Sequence, residues 1–364
     1  MNLQPTYISI PSKAGTGSDL FEQGLAASGG SLPDWWIVDD FFKNKSIIFG
    51  MDTADQGNRV LWLQAGEKSK TLAQIENILE WLVNSGAKRD QCVAVVGGGT
   101  ILDIGLFAVS IYQRGLKKWA LPTTLLAAVD AGIGGKNGVN FMGFKNYVGT
   151  ISQPDFVITD ARVLDSLEAI DVLNGWMEMV KHALIADPSL WQKMQLFGTI
   201  PPLKDMRPLI AEAAAIKQNI VRADPNESGI RKTLNFGHTV AHALESDAVV
   251  RSEHLPHGIA VGLGMVFSLH WSAMQAENSK IKSDLLNAAK GIKHWLVDGA
   301  PAYVHAAISG TDIQRLWQFM VKDKKNDTQG VQEVRLTSLG SAKWNELLTF
   351  TEFEANWTAA HASD

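Results

Sequence analysis

One change of pattern divides this chain and restricts the folds it can adopt. Before about Leu164, short apolar runs alternate with segments whose apolar residues have helical spacing; after it, long amphipathic helical patterns follow one another. The apolar runs Trp36–Val38 and Val93–Val96 are typical of buried strands, and Thr71–Ser85 has the spacing of a helix. Because alternating strands and helices pack as a parallel sheet covered by helices, the first half is predicted to be an α/β domain.

The second half predicts a mainly α-helical domain. Its helical patterns cover Leu167–Ile185, Met206–Val221, Thr233–Ser246 and His257–Gln275, and few β-branched runs interrupt them. We therefore predict two domains: an α/β, Rossmann-like domain with a parallel sheet over residues 1–164, and a mainly α-helical domain over residues 165–364.

The composition argues against several classes of partner. Of the 364 residues, 46% are hydrophobic and 20% are charged, as in ordinary globular proteins, and the sequence has neither a signal-peptide core nor a membrane-spanning apolar run. The net charge of −5 gives no reason to expect nucleic acid or an acidic membrane as a partner. The single cysteine, Cys92, cannot form an internal disulfide, which suits a reducing compartment. We expect a soluble, cytoplasmic protein.

Three segments of the first half have features of a nucleotide site. Three glycines follow the strand Val93–Val96 and open a helix, so that main-chain N–H groups can approach a diphosphate, although a plain tight turn has the same pattern. The segment Gly66–Lys70 before the next helix is a second candidate, or a solvated charged turn. Thr123 and Thr124 end another apolar run and either lie over a cofactor or simply favour a strand.

A possible metal site is spread over the second half. Glu178 and Lys181 lie three residues apart on one helix face, which suits either a ligand with a neighbouring cation or a plain salt bridge. His238 and His242 share another helix face. His257 opens an apolar helix, where a helix cap or a satisfied core histidine is the alternative. One carboxylate and two imidazoles with one open position are typical of catalytic zinc, but spacing alone does not choose between His238 and His242.

Taken in order, these motifs resemble the dehydroquinate synthase family from about Asp39 to Gly340. The segments that carry the resemblance are Gly66–Lys70, Gly97–Asp103, Tyr112–Gly115, Leu121–Leu126, Val129-Asp130, Gly134–Lys136, Gly143–Asn146, Glu178–Lys181, Lys217, Arg231–His242, His257-Gly258 and Asp323–Asn326.

The resemblance implies a role for each matching residue. It implies that zinc or cobalt binds Glu178, His238 and His257. It implies that NAD is bound by Asp39, Glu67, Lys70, Gly97, Gly98, Gly99, Asp103, Thr123 and Thr124. It implies that substrate is bound by Lys136, Lys145, Asn146, Lys217, Arg231, Asn235 and Lys324, with Arg114 from a second subunit of a homodimer. It implies catalytic roles for Asp130, Lys136, Lys181 and His242, the last as a proton-handling neighbour of the metal.

The implied reaction is a phosphate-eliminating carbon–oxygen lyase step. The family cyclises 3-deoxy-D-arabino-heptulosonate 7-phosphate to 3-dehydroquinate, in the shikimate pathway to aromatic amino acids, with NAD regenerated. A substrate with about three negative charges requires the cations of this acidic chain to gather in one place. The alternatives are another sugar-phosphate cyclase, of the sedoheptulose 7-phosphate type, a metal-dependent glycerol or alcohol dehydrogenase, or a non-catalytic binding protein.

The chain departs from the family pattern at a few positions. Ile259 stands where the family reads Glu in His-Gly-Glu-Ala, so a carboxylate near the metal helix is missing. Ala241 replaces a usual Gly, and Trp176 and Met177 replace smaller residues. On the cofactor side, Phe41 replaces a usual polar residue. These differences predict an altered substrate, a weak activity or a specialised paralogue of the family.

Overall fold

The computed structural model describes residues 6–9, 26, 32–44, 47–48, 51–52, 57–160, 163–322 and 330–361. The chain divides into two compact units: residues 1–167 with 203–211, and residues 168–202 with 212–364. The boundary expected between residues 164 and 165 stays a prediction.

The first unit is built on a parallel sheet, as the sequence predicts. Its described strands are β1 Thr6–Ser9, β2 Trp35–Asp39, β3 Ile47–Ile48, β4 Met51–Asp52, β5 Val60–Leu63, β6 Cys92–Gly97, β7 Lys117–Pro122, β8 Lys136–Phe141, β9 Phe144–Ile151 and β10 Phe156–Thr159. Six of them form the sheet in the order β1-β10-β7-β6-β2-β5, and every pair in it is parallel. The antiparallel hairpins β3–β4 and β8–β9 stand outside it.

Both faces of this sheet are buried. In β2, Trp35 and Ile37 belong to one apolar cluster, whereas Trp36 and Val38 belong to another on the opposite face. This two-sided burial explains why the parallel strands read as continuous apolar runs rather than as alternating patterns.

Helices α1 (Leu72–Asn84) and α2 (Gly99–Ile111) contribute to the first of these clusters. Helix α1 begins where predicted because the Thr71 hydroxyl accepts a hydrogen bond from the Gln74 N–H. Its residues Ile75, Ile78 and Leu82 form the buried stripe.

The second unit is mainly α-helical, also as predicted. Its helices are α3 Ala169–Ala186, α4 Pro188–Gln195, α5 Leu203–Ala223, α6 His238–Val250, α7 His257–Met274, α8 Ser279–Gly299, α9 Ala302–Ser309, α10 Ile313–Lys322 and α11 Phe350–His361, and the first nine residues of α5 belong to the other unit. Strands β11 (Val331–Ser338) and β12 (Ser341–Leu348) form an antiparallel hairpin against α7. No helix among the described residues could span a membrane.

The largest difference from the predicted helix boundaries lies at the start of α6. The segment predicted as a helix from Thr233 is a 3-10 helix over Ile230–Asn235, and the α-helix begins only at His238. Gly237 separates the two with a φ of +75°, a conformation that other residues adopt only at a cost. The break places His238 in the first turn of α6, where its side chain projects from a helix end.

Candidate active site

The turn after β6 provides main-chain donors for an anion. Strand β6 ends at Gly97, Gly98 is the N-cap of α2, and this cap has no side-chain acceptor for the first N–H groups of the helix. A Cβ on Gly97 would lie 2.5 Å from the Ile101 Cβ, and one on Gly98 would lie 3.0 Å from the Thr124 Cγ2. The turn therefore requires glycine, and its bare helix N-terminus fits a diphosphate group.

Other predicted cofactor residues lie at the same edge of the sheet. Strands β2, β6 and β7 are parallel neighbours, so their carboxyl ends bring Asp39, Gly97 and Thr123 to one edge. The Thr123 N–H donates to the Gly97 carbonyl at 3.0 Å. Burial raises the pKa of the Asp39 carboxyl, while a hydrogen bond from the Phe41 N–H opposes that rise.

A hydrogen-bonded cluster joins the Glu67–Lys70 segment to the hairpin β8–β9. Lys70 is buried, and its Nζ lies 2.7 Å from Asp103 Oδ2 and also donates to Asn146 Oδ1. Asn140 completes the cluster, because its Nδ2 donates to Glu67 Oε1 at 2.7 Å and its Oδ1 accepts from the Asn146 N–H at 2.9 Å. The sequence prediction missed Asn140, which lies between two motifs that it used.

The other predicted residues of this unit lie on different elements. Asp130 lies in a π-helical turn, Lys136 begins β8, and Lys145 is exposed on β9. Arg114 follows α2 and precedes β7, so it lies at the amino edge of the sheet, opposite the glycine turn. Within one chain, a 13-residue helix of about 20 Å separates that turn from Arg114.

In the second unit, three helices bring Glu178, His238 and His257 together. Glu178 lies within α3, whereas the two histidines are the first residues of α6 and α7. One ligand atom from each residue lies within 4.8 Å of the others. The Nε2 atoms of His238 and His257 are 3.6 and 3.7 Å from Glu178 Oε1.

Close helix packing explains this convergence. A Cβ on Gly264 of α7 would lie 2.0 Å from the Gly237 carbonyl oxygen, and one on Gly258 would lie 1.9 Å from the Asn174 carbonyl oxygen. The side chain of Asn174 also accepts a hydrogen bond from the Gly258 N–H. Two glycines of α7 thus allow the start of α6 and the middle of α3 to approach it at backbone distance.

The Nδ1 atom of each histidine ring has a partner that fixes the orientation of the ring. His257 Nδ1 lies 3.3 Å from Glu245 Oε2, and His238 Nδ1 lies 3.2 Å from the Phe236 carbonyl oxygen. These contacts direct both Nε2 atoms toward Glu178, as in metal sites whose ligands are oriented by outer partners. Glu245 was not predicted, although its place seven residues after His238 on α6 was a usable signal.

The three side chains fit a bound dication. Glu178 is fully buried: its Oε2 forms an ion pair with the Lys181 ammonium, whereas its Oε1, which faces both imidazoles, accepts no hydrogen bond in the described part of the chain. Donor atoms about 2 Å from a tetrahedral zinc lie roughly 3.3 Å from one another, close to the separations observed here. Lys181 is the charged neighbour of Glu178 Oε2, and the His242 ring centroid lies 5.7 Å from that of His238.

The predicted anion-binding residues of the second unit are also fixed by their surroundings. Arg231 is buried, and its Nη1 donates to the Pro225 carbonyl at 2.7 Å. Asn235 donates to Glu227 Oε1 at 2.9 Å, and Lys217 is buried on α5. Lys324 lies outside the described residues.

Family comparisons cover most of the chain. The family model for the 3-dehydroquinate synthase N-terminal part matches residues 60–174, and that for the C-terminal part matches residues 175–326. The chain belongs to the 3-dehydroquinate synthase family.

Curated members of the family are similar over about four fifths of their length. A 3-dehydroquinate synthase of Parabacteroides distasonis is 34% identical over 291 residues, which are 80% of this chain and 80% of that protein. One from Pelagibacter ubique is 36% identical over 299 residues, 81% of this chain and 79% of that protein.

Two solved structures share the fold of this chain. A 2-epi-5-epi-valiolone synthase from Streptomyces hygroscopicus subsp. jinggangensis, with NAD⁺ and Zn²⁺ bound, has a TM-score of 0.80 at 20% identity and covers 100% of this chain and 98% of its own. A 2-deoxy-scyllo-inosose synthase complexed with carbaglucose-6-phosphate, NAD⁺ and Co²⁺ has a TM-score of 0.78 at 20% identity, with coverages of 97% and 96%.

Proposed function

We propose that this protein is a 3-dehydroquinate synthase, which converts 3-deoxy-D-arabino-heptulosonate 7-phosphate to 3-dehydroquinate and inorganic phosphate. The observation that carries the proposal is the convergence of Glu178, His238 and His257 in a chain of this family. The reaction is a carbon–oxygen lyase reaction without net oxidation.

Two bound groups are part of the proposal. When bound, NAD and a zinc or cobalt ion supply reversible hydride transfer and polarisation of a substrate hydroxyl. The metal would be held by Glu178, His238 and His257, and the NAD diphosphate by the N–H groups of the turn Gly97–Gly99. Glu67, Lys70, Asp103, Asp39, Thr123 and Thr124 would surround the rest of the dinucleotide.

Positioned cations would bind the substrate's phosphate and carboxylate. Arg231 is buried and fixed by the Pro225 carbonyl, so its guanidinium is already ordered for bidentate contact with a carboxylate. The remaining contacts are assigned to Lys136, Lys145, Asn146, Lys217, Asn235 and Lys324.

Two residues beside the metal ligands would handle protons. His242 lies one helical turn after His238 on α6 and would exchange a proton with substrate oxygen during elimination and ring closure. The Lys181 ammonium would balance the charge of Glu178 and hold a proton beside that carboxylate. Asp130 and Lys136 would complete the acid–base set.

A second candidate function is that of another sugar-phosphate cyclase, because one structural neighbour, the 2-deoxy-scyllo-inosose synthase, is complexed with carbaglucose-6-phosphate. The experiment is a substrate panel with zinc and NAD⁺, with phosphate release measured from the heptulosonate phosphate, sedoheptulose 7-phosphate and glucose 6-phosphate. We expect release from the carboxylate-bearing substrate alone. Faster release from either sugar phosphate without a carboxylate would replace the proposal by the second candidate.

We further propose that the protein acts as a homodimer in the cytoplasm. Arg114 lies at the sheet edge away from its own glycine turn, which supports its assignment to the site of a second subunit.

A further inference from the structure

The hairpin β8–β9 contains a bulge that presents two residues assigned to substrate binding. The pairs on either side of it are Val139 with Val148 and Phe141 with Phe144. Between these pairs β8 has a single residue, Asn140, whereas β9 has residues 145–147, which include Lys145 and Asn146. A bulge leaves main-chain groups without ladder partners, and bulges are frequent beside active sites, where they redirect side chains. The bulged residues therefore need hydrogen bonds from outside the ladder.

Asn140 supplies such a bond and also reaches the cofactor segment. Its Oδ1 accepts the Asn146 N–H at 2.9 Å, and Asn146 has a φ of +50°, a left-handed conformation that depends on support from its surroundings. The Asn140 Nδ2 donates to Glu67 Oε1 at 2.7 Å, and its main-chain N–H donates to the Lys70 carbonyl at 2.9 Å. Because a main-chain N–H donates and a carboxylate accepts, these partners fix the orientation of the Asn140 amide.

Lys70 holds the side chain of the same bulged residue. The Lys70 ammonium is buried, forms an ion pair with Asp103 Oδ2 at 2.7 Å and donates to Asn146 Oδ1. Since an ammonium has no acceptor, Asn146 must turn its Oδ1 toward Lys70, and its Nδ2 is the atom that would donate to an anionic oxygen of the substrate. Asn140 thus holds the main chain of Asn146, and Lys70 holds its side chain.

We propose that Asn140 is a positioning residue that orders Asn146 for the substrate and Glu67 for NAD at the same time. A side chain that is ordered before binding avoids an entropy cost that would otherwise weaken binding up to about tenfold. The inference rests on the proposed function, which assigns Asn146 to the substrate and Glu67 to the cofactor. It gives a role to Asn140, to which that chemistry assigns none.

A purely structural role of Asn140 in the hairpin has a matched control. Thr150, on β9 beyond the bulge, ties the same hairpin to α2, because its Oγ1 lies 2.7 Å from Ser110 Oγ. Thr150→Val keeps the shape of the side chain, removes that hydrogen bond and leaves the contacts of Asn140 in place. A hairpin that is only loosened should respond equally to Thr150→Val and to changes at Asn140.

The test compares Asn140→Ala, Asn140→Asp and Thr150→Val with the unaltered full-length protein. Asn140→Ala removes both side-chain bonds, whereas Asn140→Asp keeps an acceptor for the Asn146 N–H and loses the donor to Glu67. Hydrogen–deuterium exchange of the Asn146 amide is followed by mass spectrometry with fragmentation, and NAD⁺ affinity is measured by calorimetry. Phosphate release from the heptulosonate phosphate by zinc-loaded protein gives KM and kcat.

The two Asn140 variants should differ in a defined way. For Asn140→Ala we expect the Asn146 amide to exchange at least about tenfold faster and KM to rise about tenfold, with kcat little changed. Asn140→Asp should keep the slow exchange of that amide. NAD⁺ binding should weaken about tenfold in both variants, because Glu67 loses a charge-assisted hydrogen bond and, in Asn140→Asp, faces a like charge. Thr150→Val should match the unaltered chain in every measurement.

The separate readouts decide between positioning and simple loss of stability. Should Asn140→Ala fail to fold, Asn140→Asp decides alone: weaker NAD⁺ binding with slow Asn146 exchange supports the inference, and unchanged NAD⁺ binding overturns it. Unchanged exchange and KM in a folded Asn140→Ala, or equal changes in Thr150→Val, would also overturn it. Absence of phosphate release by the unaltered chain would overturn the proposed function instead, and exchange and calorimetry would still decide the role of Asn140.

Discussion

The two histidines of α6 have different surroundings, which gives them different expected roles. His238 points Nε2 at Glu178, whereas His242 lies beside both other imidazoles, with ring centroids 5.7 and 6.3 Å away. We expect His238→Ala to weaken zinc binding by more than about 100-fold, since a direct ligand should matter more than an outer partner. His242→Ala should bind zinc nearly as before but lose about 10²- to 10⁴-fold in turnover.

Calorimetric titration with zinc and a phosphate-release assay check both variants. An equal loss of zinc affinity in His242→Ala and His238→Ala would show that the assignment of the metal ligands is wrong.

Glu333 should make the metal-free protein sensitive to pH. Burial raises the pKa of its carboxyl from 4.5 to about 7 in the folded chain. Because the folded state holds this proton more tightly, its contribution to stability is present below about pH 4.5 and is lost as pH rises through about 7. This difference in pKa between the unfolded and the folded chain corresponds to roughly 3 kcal/mol in the free energy of unfolding.

Urea unfolding at pH 5 and pH 8 measures this effect. Glu333→Gln should lose less stability over that interval than the unaltered chain, because its amide does not titrate. A pH dependence that is the same in both proteins would show that Glu333 ionises normally.

At the scale of elements, the approach of α7 to the start of α6 depends on one glycine. Gly264→Ala would place a Cβ 2.0 Å from the Gly237 carbonyl oxygen, so the helices must separate. We expect the free energy of unfolding to fall by about 1–3 kcal/mol because of overpacking. Zinc binding should also weaken, because His238 and His257 move apart.

The matched control is Gly291→Ala on α8, where the added Cβ would meet its nearest neighbour, Trp191 Cη2, at 3.8 Å. The free energy of unfolding of that variant should rise by up to about 1 kcal/mol, since Ala favours a helix over Gly, and its zinc binding should be unchanged. Urea unfolding and zinc titration report both quantities, and normal zinc affinity in Gly264→Ala would contradict the packing argument.

The elements that were predicted well from the sequence are those in which the apolar residues follow one clear pattern. Strands β2 and β6 are buried on both faces, and α1 has a regular apolar stripe, so their patterns are unambiguous. Hairpin β8–β9 was not predicted because β9 is largely exposed and has no apolar period. Hairpin β11–β12 was also missed, since a buried glutamate and two register shifts break the alternation of β11.

The candidate site was predictable in part for similar reasons. Motif order pointed to Glu178, His238 and His257, which the structure places together. Sequence spacing alone did not decide between His238 and His242 as the candidate metal ligand. The two differ because Gly237, in a left-handed conformation, separates the 3-10 helix from α6 and so places His238 at the start of α6. Asn140 contacts Glu67, a partner distant in sequence, which no local pattern reveals.

At the scale of the whole molecule, the proposed homodimer makes the site of one subunit depend on Arg114 of the other. Two inactive variants, Arg114→Ala and His238→Ala, should therefore restore activity when co-expressed. A mixed dimer would hold one intact site, so random pairing should give about one quarter of normal activity. Absence of restoration in a sample shown to contain mixed dimers would place Arg114 in the site of its own chain.

The central claim is that this chain eliminates phosphate by a redox-neutral cyclisation that needs both NAD⁺ and a metal. The most direct measurement follows phosphate release and NADH absorbance together in one reaction with the heptulosonate phosphate, NAD⁺ and zinc-loaded protein. We predict one phosphate per substrate consumed, no net NADH, and no release after the metal is removed by a chelator. Steady NADH formation without phosphate, or no phosphate from fully loaded protein, would contradict the claim.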